Sequence, residues 1–231
     1  MRKWFALALL IVLGFFLAEI ASSFPFGQEK WGVSKHYVDR GIEENRGANL
    51  VTSIVVNYRG FDTLGEVTVL FLAATALAFL LSTCRCRRKY RRWDASLILK
   101  TASETLYPLL ILFGAYIFIH GHLTPGGGFQ GGTVIASAVM LMLLSYFSFH
   151  PNHRALSTTE GLAGLAFVLI GFAGLVWGGS FLANNILPLG QWNRLFSAGV
   201  IPLIYVAVGF KVGAELSGLI TDMLKATKEE E

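Results

Sequence analysis

The sequence predicts an all-α membrane protein that crosses the bilayer six times, with both termini on the cytoplasmic side. Six apolar runs are long enough to span a bilayer core about 30 Å thick, which takes roughly 20 residues per helix. Of the 231 residues, 54% are hydrophobic and only 15% charged, well below the roughly 25% charged of a soluble domain. The basic residues gather in segments that belong on one side of a membrane. Eighteen phenylalanines and 25 glycines fit the same class, since glycine is commoner in membrane helices than in soluble ones. The formal charge of +4 calls for no nucleic-acid partner, because the lysines and arginines lie where membrane topology puts them.

The first run, about residues 4–22, follows Arg2 and Lys3 and ends near Ala21-Ser22-Ser23, so a secretory signal is the competing reading. Glu19 argues against cleavage, because it sits where such a region is small and neutral. The other runs cover about 62–82, 103–120, 132–149, 161–180 and 195–219. Between the second and third lies "CRCRRKYRRWD", with Arg85, Arg87, Arg88, Lys89, Arg91 and Arg92. The excess of positive charge in cytoplasmic loops puts this segment inside. Arg2, Lys3, Arg154, Lys225 and Lys228 fall on the same side, whereas "HGHLTPGGG" has no Lys or Arg and faces out. The basic loop is also the natural seam between a two-helix segment, 1–90, and a four-helix domain, 95–225.

The long outer segment, 23–60, mixes charges of both signs and holds one short apolar stretch, "LVTSIVV" at 50–56. It is too short to span, and reads as an interfacial or partner-facing piece. Cys84 and Cys86 form a lone CxC, half a metal site at most, and read as ordinary thiols at a helix end, open to acylation. His120 and His122 lie outside, His150 and His153 inside, with a whole span between them, so no metal site is expected. At the mouth of a path His120 could exchange protons near neutral pH; an interfacial histidine with its bonds satisfied is the commoner case.

Ionisable groups inside membrane helices cost several kcal/mol unless paired or hydrated, so each is a candidate functional residue. They fall into two layers. Glu19, Asp62 and Glu66 lie near the outer surface. Asp62 and Glu66 are spaced i, i+4 on one helix face, where two carboxylates disfavour double ionisation and so invite proton or cation exchange. The alternative is that Asp62 caps the helix and Glu66 occupies its first turn, which the macrodipole favours for acids. Near the inner surface lie Lys100 with Glu104 and Lys211 with Glu215, both i, i+4 pairs able to close an ion pair. Lys211 either snorkels to the headgroups along its stem or joins Glu104 and Glu215 in a charge-carrying chain.

Gly161, Gly164, Gly171, Gly174 and Gly178 form a small-residue face on the fifth run, as helices in close contact require. Gly131, Gly132, Ala136 and Ser137 do the same at the start of the fourth. Consecutive glycines leave backbone groups free, which is tolerable at membrane depth only against protein or water. The loop before the fourth run therefore packs on a neighbour.

"GHLTPGGGFQGG" at 121–132, between two spans, closely resembles the signature of the B subunit of Mrp-type multisubunit cation/proton antiporters, and the resemblance covers about 95–220. "NYRGFDTLGEVTVL" at 57–70 resembles the tail of the large A subunit of the same antiporters, and residues 1–85 match that layout. The large ion-translocating portion of the A subunit is missing. That arrangement resembles the membrane-bound hydrogenases and sulfane-sulfur reductases of heat-loving archaea, relatives of complex I that borrowed the antiporter module.

The resemblance implies an accessory subunit of the cell membrane in a sodium (cation)/proton translocation module, not an enzyme by itself. Its partners would be other Mrp-like membrane subunits and, in a redox-driven complex, hydrogenase-like and iron–sulfur chains. The clusters would sit on those partners, because two cysteines cannot hold one. A purely structural subunit of a stand-alone antiporter is the alternative. The resemblance puts Glu66 on an ion path with Asp62 and Arg59 in support. It makes the loop of Pro125, Gly126, Gly127, Gly128, Gly131 and Gly132 structural.

Overall fold

The computed structural model describes residues 2–23, 27, 32–83 and 95–226. The basic loop with Cys84 and Cys86, as well as Lys228, lies outside the described residues. The chain is all-α, with six helices long and apolar enough to cross a membrane and no strand among the described residues. It is a multi-pass membrane protein. It divides into two compact units, Met1–His36 and Tyr37–Glu231.

In the first unit, α1 (Arg2–Ser23) is apolar on every face and exposed along its whole length. Such a helix is stable only in lipid or against other protein. Ser22 and Ser23 close it by donating their hydroxyls to the carbonyls of Glu19 and Ile20, both at 2.8 Å. Glu19 is exposed.

In the second unit, α4 (Gly60–Thr83), α5 (Leu97–Ile119), α6 (Gly128–Ser145) and α7 (His153–Ala173) surround α8 (Ile201–Ala226). The centre of the unit is built on α8 by Ile201, Ile204, Val208 and Val212, with Val67 of α4 and Phe167 of α7. Glycine allows the close approach of α6 to its neighbours. A Cβ at Gly131 would stand 2.5 Å from the Gly114 carbonyl of α5, and one at Gly132 2.8 Å from the Gly209 carbonyl of α8.

Several boundaries move from their sequence expectations, and local chemistry explains each. The third span begins at Leu97 rather than near 103, because the Ser96 hydroxyl accepts the Leu99 N–H at 3.2 Å and caps the helix. The fourth starts at Gly128 and stops at Ser145, where Tyr146 turns extended. The fifth opens at His153, with the Asn152 side chain accepting from the amides of Arg154 and Ala155. The sixth starts at Ile201, after Ala198 and Gly199 take left-handed φ of 65° and 59°.

One end of this unit carries a polar cap. Its parts are α2 (Val33–Asn45) from Tyr37 on, a short turn α3 (Leu50–Thr52) running into a π-helix (Ser53–Tyr58), the 120–127 loop, and the segment between α7 and α8. Asn49 donates to the carbonyls of Gly121 and Thr124 at 2.9 and 3.0 Å, and Thr52 to that of Gly121 at 2.7 Å. Tyr205 of α8 donates to the Thr52 hydroxyl at 3.0 Å. The Asn45 side-chain oxygen accepts from Asn57 and Asn184, and Asn184 accepts the Val200 amide at 2.9 Å. The 50–56 stretch is thus part of this chain's own packing, with Thr52, Ser53 and Val56 buried and Val51 exposed. The Thr52 hydroxyl bonds a backbone carbonyl inside the chain, whereas Ser53 Oγ is buried without a partner among the described residues, so part of the stretch faces inward and Val51 outward.

Candidate functional site

Away from the cap, three charged side chains meet between α4, α7 and α8. Lys211 is the eleventh of the 26 residues of α8 (211 − 201 + 1), close to mid-helix. Its ammonium lies 3.1 Å from Glu215 Oε2, one turn on, and 3.6 Å from Glu160 Oε1 on α7. Lys211 and Glu215 are only 7% and 2% exposed. Gly164 makes room for the lysine stem, since a Cβ there would lie 3.5 Å from Lys211 Cδ. The Phe71 ring of α4 closes the third side, its centroid 5.1 Å from the ammonium, at cation–π distance.

Of the two readings of Lys211, snorkelling and a place in a charged chain, the geometry fits the second in part: Lys211 pairs with Glu215, with Glu160 in place of Glu104. The sixth span starts six residues later than expected (201 − 195), so Lys211 sits deep and its charge is met by two carboxylates instead of headgroups. Neutralisation is incomplete on one atom: Glu215 Oε1 is buried with no hydrogen-bond partner among the described residues.

A cavity of about 350 Å³ runs beside the cluster and is lined by Thr75, Ser157, Glu160, Glu215, His153 and Asp222 among others. A second, of about 270 Å³, shares Phe71, Glu160 and Gly161 with it and reaches Lys211. At the far end from the cap His153 Nε2 stands 3.6 Å from Asp222 Oδ2, with side chains 56% and 29% exposed. The arrangement is a groove of mixed polar and apolar lining that leads from exposed His153 and partly exposed Asp222 to the ion-pair cluster. Glu160 and Asp222 escaped the sequence reading, and His153 entered it only as a candidate metal ligand. The signal was helical spacing: His153, Glu160 and Gly164 recur at i, i+7 and i+11, and Glu215 and Asp222 at i, i+7, so each set shares a face.

The other candidates lie elsewhere. Lys100 and Glu104 do not join Lys211 and Glu215, and no ion pair between them occurs among the described residues. Glu104 instead accepts the Tyr146 hydroxyl at 2.5 Å, and this bond to a carboxylate holds the Tyr146 phenol above its ordinary range. Tyr146 reaches it because α6 stops one residue earlier. At the cap end, Asp62 lies in the first turn of α4 rather than capping it, and pairs with Arg59. Glu66 is exposed, with no partner among the described residues.

His122, not His120, is the buried histidine of the 120–127 loop. Its Nε2 lies 3.1 Å from the Leu195 carbonyl, and Nδ1 has no partner among the described residues. Burial pushes it below the ordinary histidine value, outweighing backbone hydrogen bonds that act the other way. His120 is half-buried and stacks on Tyr116 with ring centroids 4.3 Å apart. Pro125, Gly126 and Gly127 form the turn into α6, and Gly128, Gly131 and Gly132 its first residues. Gly128 packs on Val208 and Gly127 on Tyr205, both of α8.

Comparison with known proteins accounts for the chain in two blocks. Residues 98–218 match the family described as a domain related to the MnhB subunit of Na+/H+ antiporter, and residues 1–97 match the family of the MBH E subunit. An uncharacterized protein of Methanocaldococcus jannaschii is 30% identical over 90% of this chain and 88% of its own length. The B subunit of the Na(+)/H(+) antiporter of Bacillus subtilis is 34% identical over 48% of this chain and 84% of its own. Among solved structures, a chain of the membrane-bound sulfane sulfur reductase, an archaeal respiratory membrane complex, is 46% identical with a TM-score of 0.83, covering 96% of this chain and 98% of that one. A chain of the Mrp complex from Dietzia sp. matches all of this chain with 26% of its own length, at 25% identity and a TM-score of 0.81. The chain therefore belongs to the family of domains related to the MnhB subunit of Na+/H+ antiporters.

Proposed function

We propose that this chain is an accessory, non-catalytic membrane subunit of a sodium (cation)/proton translocation module, seated in a redox-driven respiratory complex of the sulfane-sulfur reductase or hydrogenase kind. The observation that carries the translocation role is the buried Glu160–Lys211–Glu215 cluster beside a cavity. A scaffold has no need of it, because apolar residues would fill that space at lower cost than desolvated charges. Its depth and the adjoining groove support its reading as a relay whose charges respond to ions arriving from one side. Both termini would lie in the cytoplasm, with the cap outside. Glu66 would be the outer acid, meeting a neighbouring subunit, since its own chain offers it no partner among the described residues.

The near end-to-end correspondence at 46% identity favours the respiratory setting. Iron–sulfur clusters would then sit on partner chains, this one having two cysteines. The likeness to a segment of the Mrp complex supports a second reading, a structural subunit of a stand-alone antiporter.

Affinity purification from native membranes in mild detergent, with mass spectrometry of the retained chains, separates the two. Retained iron–sulfur chains are the expected result. Retention of antiporter-type membrane chains alone would overturn the respiratory setting. For the relay, Lys211→Ala should abolish sodium-coupled proton movement in membrane vesicles. Normal movement by an assembled complex would refute it.

A further inference from the structure

The Glu160–Lys211–Glu215 cluster sets two carboxylates against one ammonium, so when all three are ionised it holds one net negative charge. That imbalance is costly at this depth, and one further positive charge would cancel it. A sodium ion or a proton could supply that charge. The geometry points to the proton: we infer that the α4–α7–α8 groove is the module's proton intake, with His153 and Asp222 at its mouth and Glu215 as its acceptor. This rests on the reading of the cluster as part of the ion path.

Three observations select the proton. Glu215 Oε2 is engaged by Lys211 at 3.1 Å, while Oε1 is buried and unpartnered among the described residues. One free oxygen suffices for a proton, whereas hard cations gather about six oxygens. A metal cation bound there would also stand within a few ångströms of a resident ammonium, at a steep repulsive cost in a low dielectric. Finally, Glu215, His153 and Asp222 all line the cavity of about 350 Å³, which is large enough for water and offers it those three groups, Thr75, Ser157 and Glu160 as polar partners.

The groups facing Glu215 are few. They are Glu160 and His153 from α7, and Lys211 and Asp222 from its own helix. The part of α4 that lines the groove brings Phe71, Ala74, Thr75 and Ala78, none charged. His153 is half exposed and carries an imidazole, the side chain suited to proton exchange near neutral pH, and its Nε2 lies 3.6 Å from Asp222 Oδ2. A proton leaves the His153 imidazolium, crosses the cavity along water, and bonds to Glu215 Oε1. His153 becomes neutral, Glu215 becomes a neutral acid, and the cluster reaches zero net charge. Lys211, its hold on Oε2 weakened, moves its ammonium towards the Glu160 carboxylate, 3.6 Å away. The cluster has then passed one positive charge from the mouth towards α7.

The test uses the intact complex in inverted vesicles from the native host. A sodium pulse drives proton movement, read with a pH-sensitive dye across a range of pH and sodium concentration. Glu215→Gln should lower the maximum rate by on the order of tenfold, leave the sodium KM unchanged, and flatten the pH profile. A raised sodium KM with the pH profile intact would overturn the proton assignment while keeping the cluster on the path. Unchanged rates in a complex of normal composition on native gels would overturn both. Should Glu215→Gln fail to assemble, the exposed His153→Gln keeps the test alive. It should slow transport on the alkaline limb of the profile, and transport of unaltered pH profile in that variant would overturn the intake.

Discussion

Two clusters of polar groups in the second unit are built in opposite ways. The cap holds Asn45, Asn49, Thr52, Asn184 and Tyr205, all neutral and each bonded to a neighbouring side chain or carbonyl. The groove holds Lys211, Glu215 and Glu160, all ionisable. Both places leave buried atoms without a partner among the described residues: Ser53 Oγ, His122 Nδ1 and Ser197 Oγ in the cap, and Glu215 Oε1 in the groove. A satisfied neutral network fixes the course of the chain, because its donors and acceptors lose more by separating than they gain elsewhere. A charged network with one more carboxylate than ammonium retains a state it can change into. The difference separates the part that holds the fold from the part that can move charge.

The strongest way to break this contrast is Lys211→Ala, which strands the buried Glu215 carboxylate and the partly exposed Glu160. It should destabilise by about 3–5 kcal/mol, read as a large fall in melting temperature in detergent, and abolish transport. A small fall would mean the carboxylates already find water in the groove. Next comes Gly131→Leu, whose side chain must enter the 2.5 Å space before the Gly114 carbonyl. It should cost about 1–3 kcal/mol and loosen α5 from α6, read as faster amide exchange along both helices.

Thr52→Val should cost about 1–3 kcal/mol by leaving the buried Tyr205 hydroxyl without its acceptor, while the Gly121 carbonyl keeps Asn49. Each complex that still assembles should transport normally. A transport defect at full assembly would join the cap to the ion path and blur the comparison.

The smallest effect concerns pH. His122 is held below the ordinary value of 6.5 by burial, so the unfolded chain binds its proton more readily than the folded one. Its contribution is therefore intact above about 6.5 and is lost as pH falls below that towards the depressed folded value. Melting temperature should decline on acidification through this window, and His122→Gln should flatten that part of the curve.

Much of the frame was legible because lipid imposes simple demands. Continuous apolar runs become helices, and glycines such as Gly131 and Gly132 mark where helices touch. Boundaries shifted wherever a short-range bond decided them, as with Ser96 capping α5 and Asn152 capping α7. The site was half legible. Lys211 and Glu215 were visible as an i, i+4 pair, but Glu160 lies 51 residues before Lys211 (211 − 160), and nothing local to either says that α7 and α8 would bring them together. Glu104 was grouped with them for its depth, yet its helix turns it to Tyr146.

By itself the sequence determined the six spans, their apolar character, and the family signatures in the 57–70 and 121–132 stretches. Those properties depend on composition and neighbours along the chain, which lipid and helical periodicity read directly. Tertiary structure alone decided which charges meet, which histidine is buried, and where a groove remains between α4, α7 and α8. Each of these depends on how helices rotate and approach one another, and that is set by packing among residues distant in sequence.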